Sequence, residues 1–338
     1  KGSKNMMNRA INHLVLATVD SLTKFKNKLA YYLAIFAMVF GSTFGTFNAV
    51  NAADIAIANG VTITIGDIDD ANADDNLVFT TTTAGTVNTG AGTIMNVVDV
   101  SSTTGDTAAA ISGTGQLIIS GNVTSTDELV MTVGTGAAIA IAGNTLGAQP
   151  LEFIAAGAST ITLNGASDQA LAGIFDSDGV FGGNLVLSGV GVKTFAEAVG
   201  GANRFGLITT GAGSTGIFDT TVATTTLTNA GTTTLTGAIS ANTINNSGAL
   251  TITAATAGVA GGGAFTTINM TATDATVTFN ATDAVELDMI VATATDGFGT
   301  LNFIESADGA AVTNTLSGGD IGATTKRIGT INIGSATK

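Results

Sequence analysis

One short motif, written again and again after residue 54, narrows the fold more than anything else in this chain. Two or three apolar residues alternate with polar ones, and glycine, asparagine or another turn former closes the run. Alternation with period two marks a strand with one buried face, and the turn formers end each strand after a few residues. Residues 115–121 (GQLIISG), 159–165 (STITLNG) and 183–189 (GNLVLSG) are clear cases, and residues 248–253, 299–303 and 329–333 follow the same plan. Residues 224–228 (TTTLT) recur unchanged at 232–236, eight positions on. The first apolar residues of successive motifs are Leu117, Ile139, Ile161, Leu185, Leu207, Leu227 and Leu250, with gaps of 22, 22, 24, 22, 20 and 23. A repeat of about 22 residues lies in the range of solenoid architectures.

Together the two periods predict an all-β fold, a right-handed parallel β-helix with coils of about 22 residues. Short strands form its faces, and inward Leu, Ile, Val and Ala stack on their equivalents about 4.8 Å away in the next coil. Glycine and asparagine at the corners are expected there for their tolerance of positive φ. Pro150, the one proline, falls in a loop. The alternative is a chain of antiparallel β-sandwich modules. Those usually bring tyrosine or tryptophan to their cores, and this chain has neither after residue 52.

Composition supports strands over disorder. Hydrophobic residues make up 45% of the chain and charged residues 11%, too apolar for a segment kept unfolded by its own charge. Threonine, valine and isoleucine suit a pleated surface. The net charge of −14 divides unevenly: residues 1–52 carry six basic groups and one acidic, and the remainder carries five basic and 24 acidic. With so few Lys and Arg beyond residue 52, nucleic acid is excluded as a partner, because phosphate neutralisation needs clustered cations. There is no cysteine, so packing and backbone pairing must hold the fold without disulfides or thiolate metal sites.

The first 52 residues read as an address. Lys24, Lys26 and Lys28 precede an apolar run over residues 29–40, and the chain then passes through Gly, Ser and Thr to Val50-Asn51-Ala52. This is the three-part plan of a secretory signal peptide, with cleavage expected between Ala52 and Ala53. An uncleaved anchor over residues 29–47 is the alternative; it is just long enough to span a bilayer, but its second half is weakly apolar. The domain plan is thus an N-terminal extension and signal peptide over 1–52, then a Gly/Thr/Asn-rich β-domain over 53–338.

Familiar catalytic chemistry has little to work with. The single histidine, His13, precedes the signal segment, so the mature chain can build no Ser-His-Asp, Cys-His or histidine-zinc site. Carboxylate pairs remain: Asp176 with Asp178, or Glu152 with Asp168, for glycoside hydrolysis. The stretch 176–179 (DSDG) reads more simply as an exposed turn. We therefore expect no catalytic residues and no cofactor other than calcium. Asp67, Asp69, Asp70, Asp74 and Asp75 form the densest acidic run and are the candidate calcium ligands, since hard cations need several oxygens; a solvated loop is the simpler reading. Thr-x-Thr steps at 62–64, 251–253 and 276–278 resemble those of ice-binding β-solenoids, but they do not recur at one strict coil spacing, which favours ordinary outward threonine.

The Thr/Asn/Gly-rich short strands of residues 54–338 resemble the passenger regions of bacterial autotransporter adhesins, including the large surface antigens of rickettsia-like bacteria. Residues 7–24 likewise resemble the extended signal-peptide region of type V secreted proteins, without its usual tryptophan. The resemblance implies an exported cell-surface structural or adhesive protein, with a host or neighbouring-cell surface, glycans or copies of itself as partners. It implies membrane contact only through the signal segment or a C-terminal barrel. Such a barrel ends a complete autotransporter and is missing here, so the chain is either a fragment or not an autotransporter. The other readings are a self-assembling surface-layer or extracellular-matrix subunit and a carbohydrate-acting β-helix enzyme.

Overall fold

A computed structural model describes residues 54–58, 61–64, 75–80, 85–103, 107–126, 128–147, 151–179, 181–253, 256–257, 266–281, 286–287, 289–305, 315–316 and 321–334. The alternating pattern does what period two requires. In Leu129–Val133, Leu129, Met131 and Val133 are buried while Val130 and Thr132 are half-exposed. Each coil lays down three such strands. Thr107–Ser112, Gln116–Ile119 and Val123–Ser125 form one coil. Leu129–Val133, Ala138–Ile141 and Thr145–Gly147 form the next, each strand parallel to its equivalent.

The result is a parallel β-solenoid with three faces, and the described residues contain no helix. The antiparallel sandwich is set aside by the parallel pairings. The third face alone is a ladder of thirteen strands, from Asp54–Ile57 to Ile328–Ile333.

Five of the seven anchors share one inward column: Leu117 pairs with Ile139, Ile139 with Ile161 and Ile161 with Leu185, and Leu227 rejoins it through Ile208. Beyond Leu185 the coils change length. Leu185 pairs with Ile208, not Leu207, and Leu227 pairs with Ile244. Leu250 lies on the third face, between Thr233 and Val277. Thr215, Thr232 and Ala249 are successive partners only 17 residues apart, whereas Thr300 and Thr330 are 30 apart. The short coils arise where the first two faces run together in the eight-residue strands Val222–Asn229 and Ile239–Asn246. The duplicated TTTLT segments are consecutive stretches of one such coil.

Corner chemistry departs from expectation. Among the described residues the only non-glycine with positive φ is Phe181, so the corner asparagines are not there for left-handed backbone. They are there for their side-chain oxygens. Asn76 Oδ1 accepts the backbone N–H of Asp99 at 3.2 Å, and Asp99 Oδ1 accepts that of Asn122 at 2.5 Å. Asn122 Oδ1 accepts that of Asn144 at 2.9 Å, and Asn144 Oδ1 that of Ala170 at 2.8 Å. Each coil thus satisfies a corner donor of the next, one that strand pairing leaves over.

Inside, phenylalanine replaces the missing tyrosine and tryptophan. Phe153 stacks on Phe175 (centroids 4.8 Å), Phe175 meets Phe195 edge-on (5.3 Å), and Phe195 stacks on Phe218 (4.6 Å). The stack crosses the interior from the first face to the third.

Candidate binding surface

The third face turns two columns of side chains outward, and the pairing register fixes their membership. One runs Val192, Thr215, Thr232, Ala249, Thr276, Thr300, Thr330. Its neighbour, two residues along each strand, runs Thr194, Ile217, Thr234, Thr251, Thr278, Asn302, Asn332. Thr232/Thr234, Ala249/Thr251 and Thr276/Thr278 therefore come into line although their sequence spacing is irregular. Of the three steps singled out, Thr276–Thr278 lies on the array; the step at 251–253 contributes Thr251, with Ala249 as its row partner. Thr62–Thr64 is on the first face, opposite Thr86 and Asn88.

Hydrogen bonding divides this array. At its C-terminal end the Asn302 amide donates to Thr278 Oγ1 at 3.1 Å, and the Asn332 amide donates to Asn302 Oδ1 at 2.8 Å. The Thr232, Thr234, Thr251 and Thr276 hydroxyls make no hydrogen bond within the described residues. The second face carries a smaller version, with Thr226, Thr243 and Thr267 in one column and Thr228, Asn245 and Asn269 beside it. Residues 220–273 contain no charged side chain, so both arrays are electrically neutral where they are most regular.

The carboxylates take other positions than the sequence suggested. Asp176 is not in an exposed turn: it belongs to strand Ile174–Ser177 and is only 4% exposed, whereas Asp178 is exposed. Residues 201–203 cover Asp176, and the Ala202 N–H donates to its Oδ2 at 3.3 Å, while Oδ1 is buried with no partner. Burial pushes the Asp176 pKa up, against the backbone N–H groups of Ala202, Asn203 and Gly201. The electrostatic neighbour of Asp176 is Glu152, one coil earlier on the first face, whose pKa is raised by burial and then by Asp176 and Glu128. Asp168, the other expected partner of Glu152, sits at the corner before the third face and accepts the Val192 N–H at 2.9 Å. Glu152 and Asp168 thus stand on different faces, and of the adjacent carboxylates Asp176 and Asp178 the first is covered and the second exposed.

Asp67, Asp69, Asp70 and Asp74 lie outside the described residues, as do Ala52, Ala53 and Pro150. Asp75, the last of the acidic run, is 5% exposed, not solvated, and its carbonyl accepts the Val98 N–H at 2.7 Å. Among the described residues no three His, Cys, Asp or Glu side chains come together to hold a metal.

Sequence reading missed Lys193, which points into the solenoid and is fully buried. Its Nζ donates to the carbonyls of Gly165 (3.1 Å), Gly189 (3.1 Å) and Gly191 (2.8 Å), capping a corner. Burial pushes its pKa down, partly opposed by Asp168. Gln169, its register partner one coil back, does the same work with its amide on Ile141 and Gly143. The only signal was a lysine at an inward position of an alternating strand.

Fold and surface together define a β-solenoid repeat protein, with regular side-chain columns on its faces. No known protein family matches the chain, and neither a curated protein nor a solved structure does.

Proposed function

We propose that this chain is an exported bacterial cell-surface protein whose solenoid serves as a structural or adhesive scaffold, organised like an autotransporter passenger. The observation that carries the reading is the thirteen-strand third face. It is a continuous frame that repeats neutral side chains at fixed intervals, which suits display and many-point contact with a host or neighbouring-cell surface. The signal-peptide pattern ending at Ala52 supplies the route out. Calcium, with Asp67, Asp69, Asp70, Asp74 and Asp75 as ligands, is the cofactor to test.

A specific feature favours a second reading, that of a self-assembling surface-layer or matrix subunit. Ile331 and Ile333 hold core register opposite Leu301 and Phe303 yet are 46% and 83% exposed. Another copy of the chain stacked on this apolar rung would bury it.

Expression of the full chain in a Gram-negative host tests export. Surface or medium protein beginning at Ala53, removable from intact cells by protease, supports the proposal. Cytosolic protein that retains residues 1–52 overturns it. Sheet formation on adding calcium would favour the assembling subunit over the adhesin.

A further inference from the structure

We infer that the threonine columns of the third face, centred on Thr232, Thr234, Thr251, Thr276 and Thr278, form an ice-binding surface. The inference goes beyond the scaffold reading and does not depend on it.

The argument begins with what the columns lack. They carry no charge, and the span 220–273 has none at all, so a mineral face or an anionic polymer finds no counter-charge. They carry no aromatic side chain, the usual platform for the apolar face of a sugar ring. They stand on the outward side of a sheet face, and a small solute needs a concave enclosure. One exposed hydroxyl contributes too little net free energy to offset the freedom lost on association. Only a ligand that meets many of these hydroxyls at once can bind, and it must be neutral, planar and periodic.

What the columns possess fits ice. Register puts the Thr234, Thr251 and Thr278 hydroxyls about 4.8 Å apart between successive coils, with Thr232 and Thr276, on either side of Ala249, roughly 6.6 Å along their strands, a grid close to the oxygen repeats on prism faces of hexagonal ice. Threonine is stiff at χ1, so each rung presents a hydroxyl and a methyl in a set direction. Thr232 is exposed and the other four are half-exposed. Among the described residues the Thr232, Thr234, Thr251 and Thr276 hydroxyls make no hydrogen bond, leaving donors and acceptors for an ordered water layer that a growing crystal can incorporate.

The test is ice-affinity partition and recrystallisation inhibition with the full chain, beside binding to crystalline cellulose and chitin. The full chain should enter slowly growing ice and keep ice grains small. The triple variant T234K/T251K/T278K should lose both effects, while T132K, on the outward side of the first face, should keep them, with unchanged far-ultraviolet circular dichroism. If the lysine variant fails to fold, T234V/T251V/T278V removes the hydroxyls with little change of shape and should weaken partition. Exclusion of the full chain from ice, binding to polysaccharide but not ice, or ice activity unchanged in a folded triple variant would each overturn the inference.

Discussion

The Asn122 side chain holds the backbone N–H of Asn144 on its Oδ1 at 2.9 Å, so one coil's corner is secured by the residue in the equivalent position of the coil before. Asp99 does the same for Asn122, which shows that the oxygen matters and the amide does not. Asn122→Asp should therefore be close to neutral. Asn122→Ala leaves the Asn144 N–H without its acceptor and should cost about 1–2 kcal/mol, read as a lower urea midpoint with an unchanged slope.

Lys193 gives a sharper case, because its three acceptors are glycine carbonyls at a buried corner. Lys193→Met keeps the apolar stem and removes every donor. The stranded carbonyls should lower stability by about 2–4 kcal/mol, measured by chemical denaturation. A loss no larger than that of a surface lysine such as Lys326 would remove the corner-capping role.

Phe195 touches both Phe175 and Phe218, and so joins the ring pair on the first face to the third face. Phe195→Ala should destabilise by about 3–5 kcal/mol through lost burial and the cavity left behind. Phe195→Leu should cost distinctly less. Thermal unfolding of the two variants gives the comparison.

Asp176 and Glu152 set a pH dependence. Both carboxyls have folded pKa values raised above their usual 3.8 and 4.5, so the folded state holds their protons more tightly than the unfolded chain. Their contribution is fully present below the unfolded values and is lost as pH rises through the raised folded ones. Asp176→Asn and Glu152→Gln should therefore stabilise the protein at neutral pH, and the gain should vanish in acid below the usual carboxylate values. Urea midpoints measured across that range would show it; a gain that persists in acid would contradict the assignment.

Strand type, parallel stacking and the early coils were legible because Leu117, Ile139, Ile161 and Leu185 recur where coil length is nearly constant. Leu207 missed by one residue and Leu250 by a whole face, since alternation reports which residues point inward and says nothing of how much chain a corner consumes. The same blindness hid the third-face array: Thr251 and Thr278 are neighbours in space, but 27 positions separate them in a chain read for a 22-residue period. One signal was available and unused. Asn76 opens a third-face strand and Asp99, Asn122 and Asn144 each stand just before one, at nearly equal intervals, which marks the ladder of side-chain acceptors. Lys193 and the cover over Asp176 were out of reach, because both depend on what a corner loop does in space.

Each coil pairs only with the coils on either side, so the rungs bear a pulling force in series and not side by side. A chain built this way yields by peeling: the outermost rung detaches, its residues pay out as slack, and the next takes up the strain. Corners fastened by Lys193 or by the asparagine ladder are then the places where peeling should stall. Tension would resolve the molecule into a sequence of small, unequal steps, with a coil's own length setting the size of each.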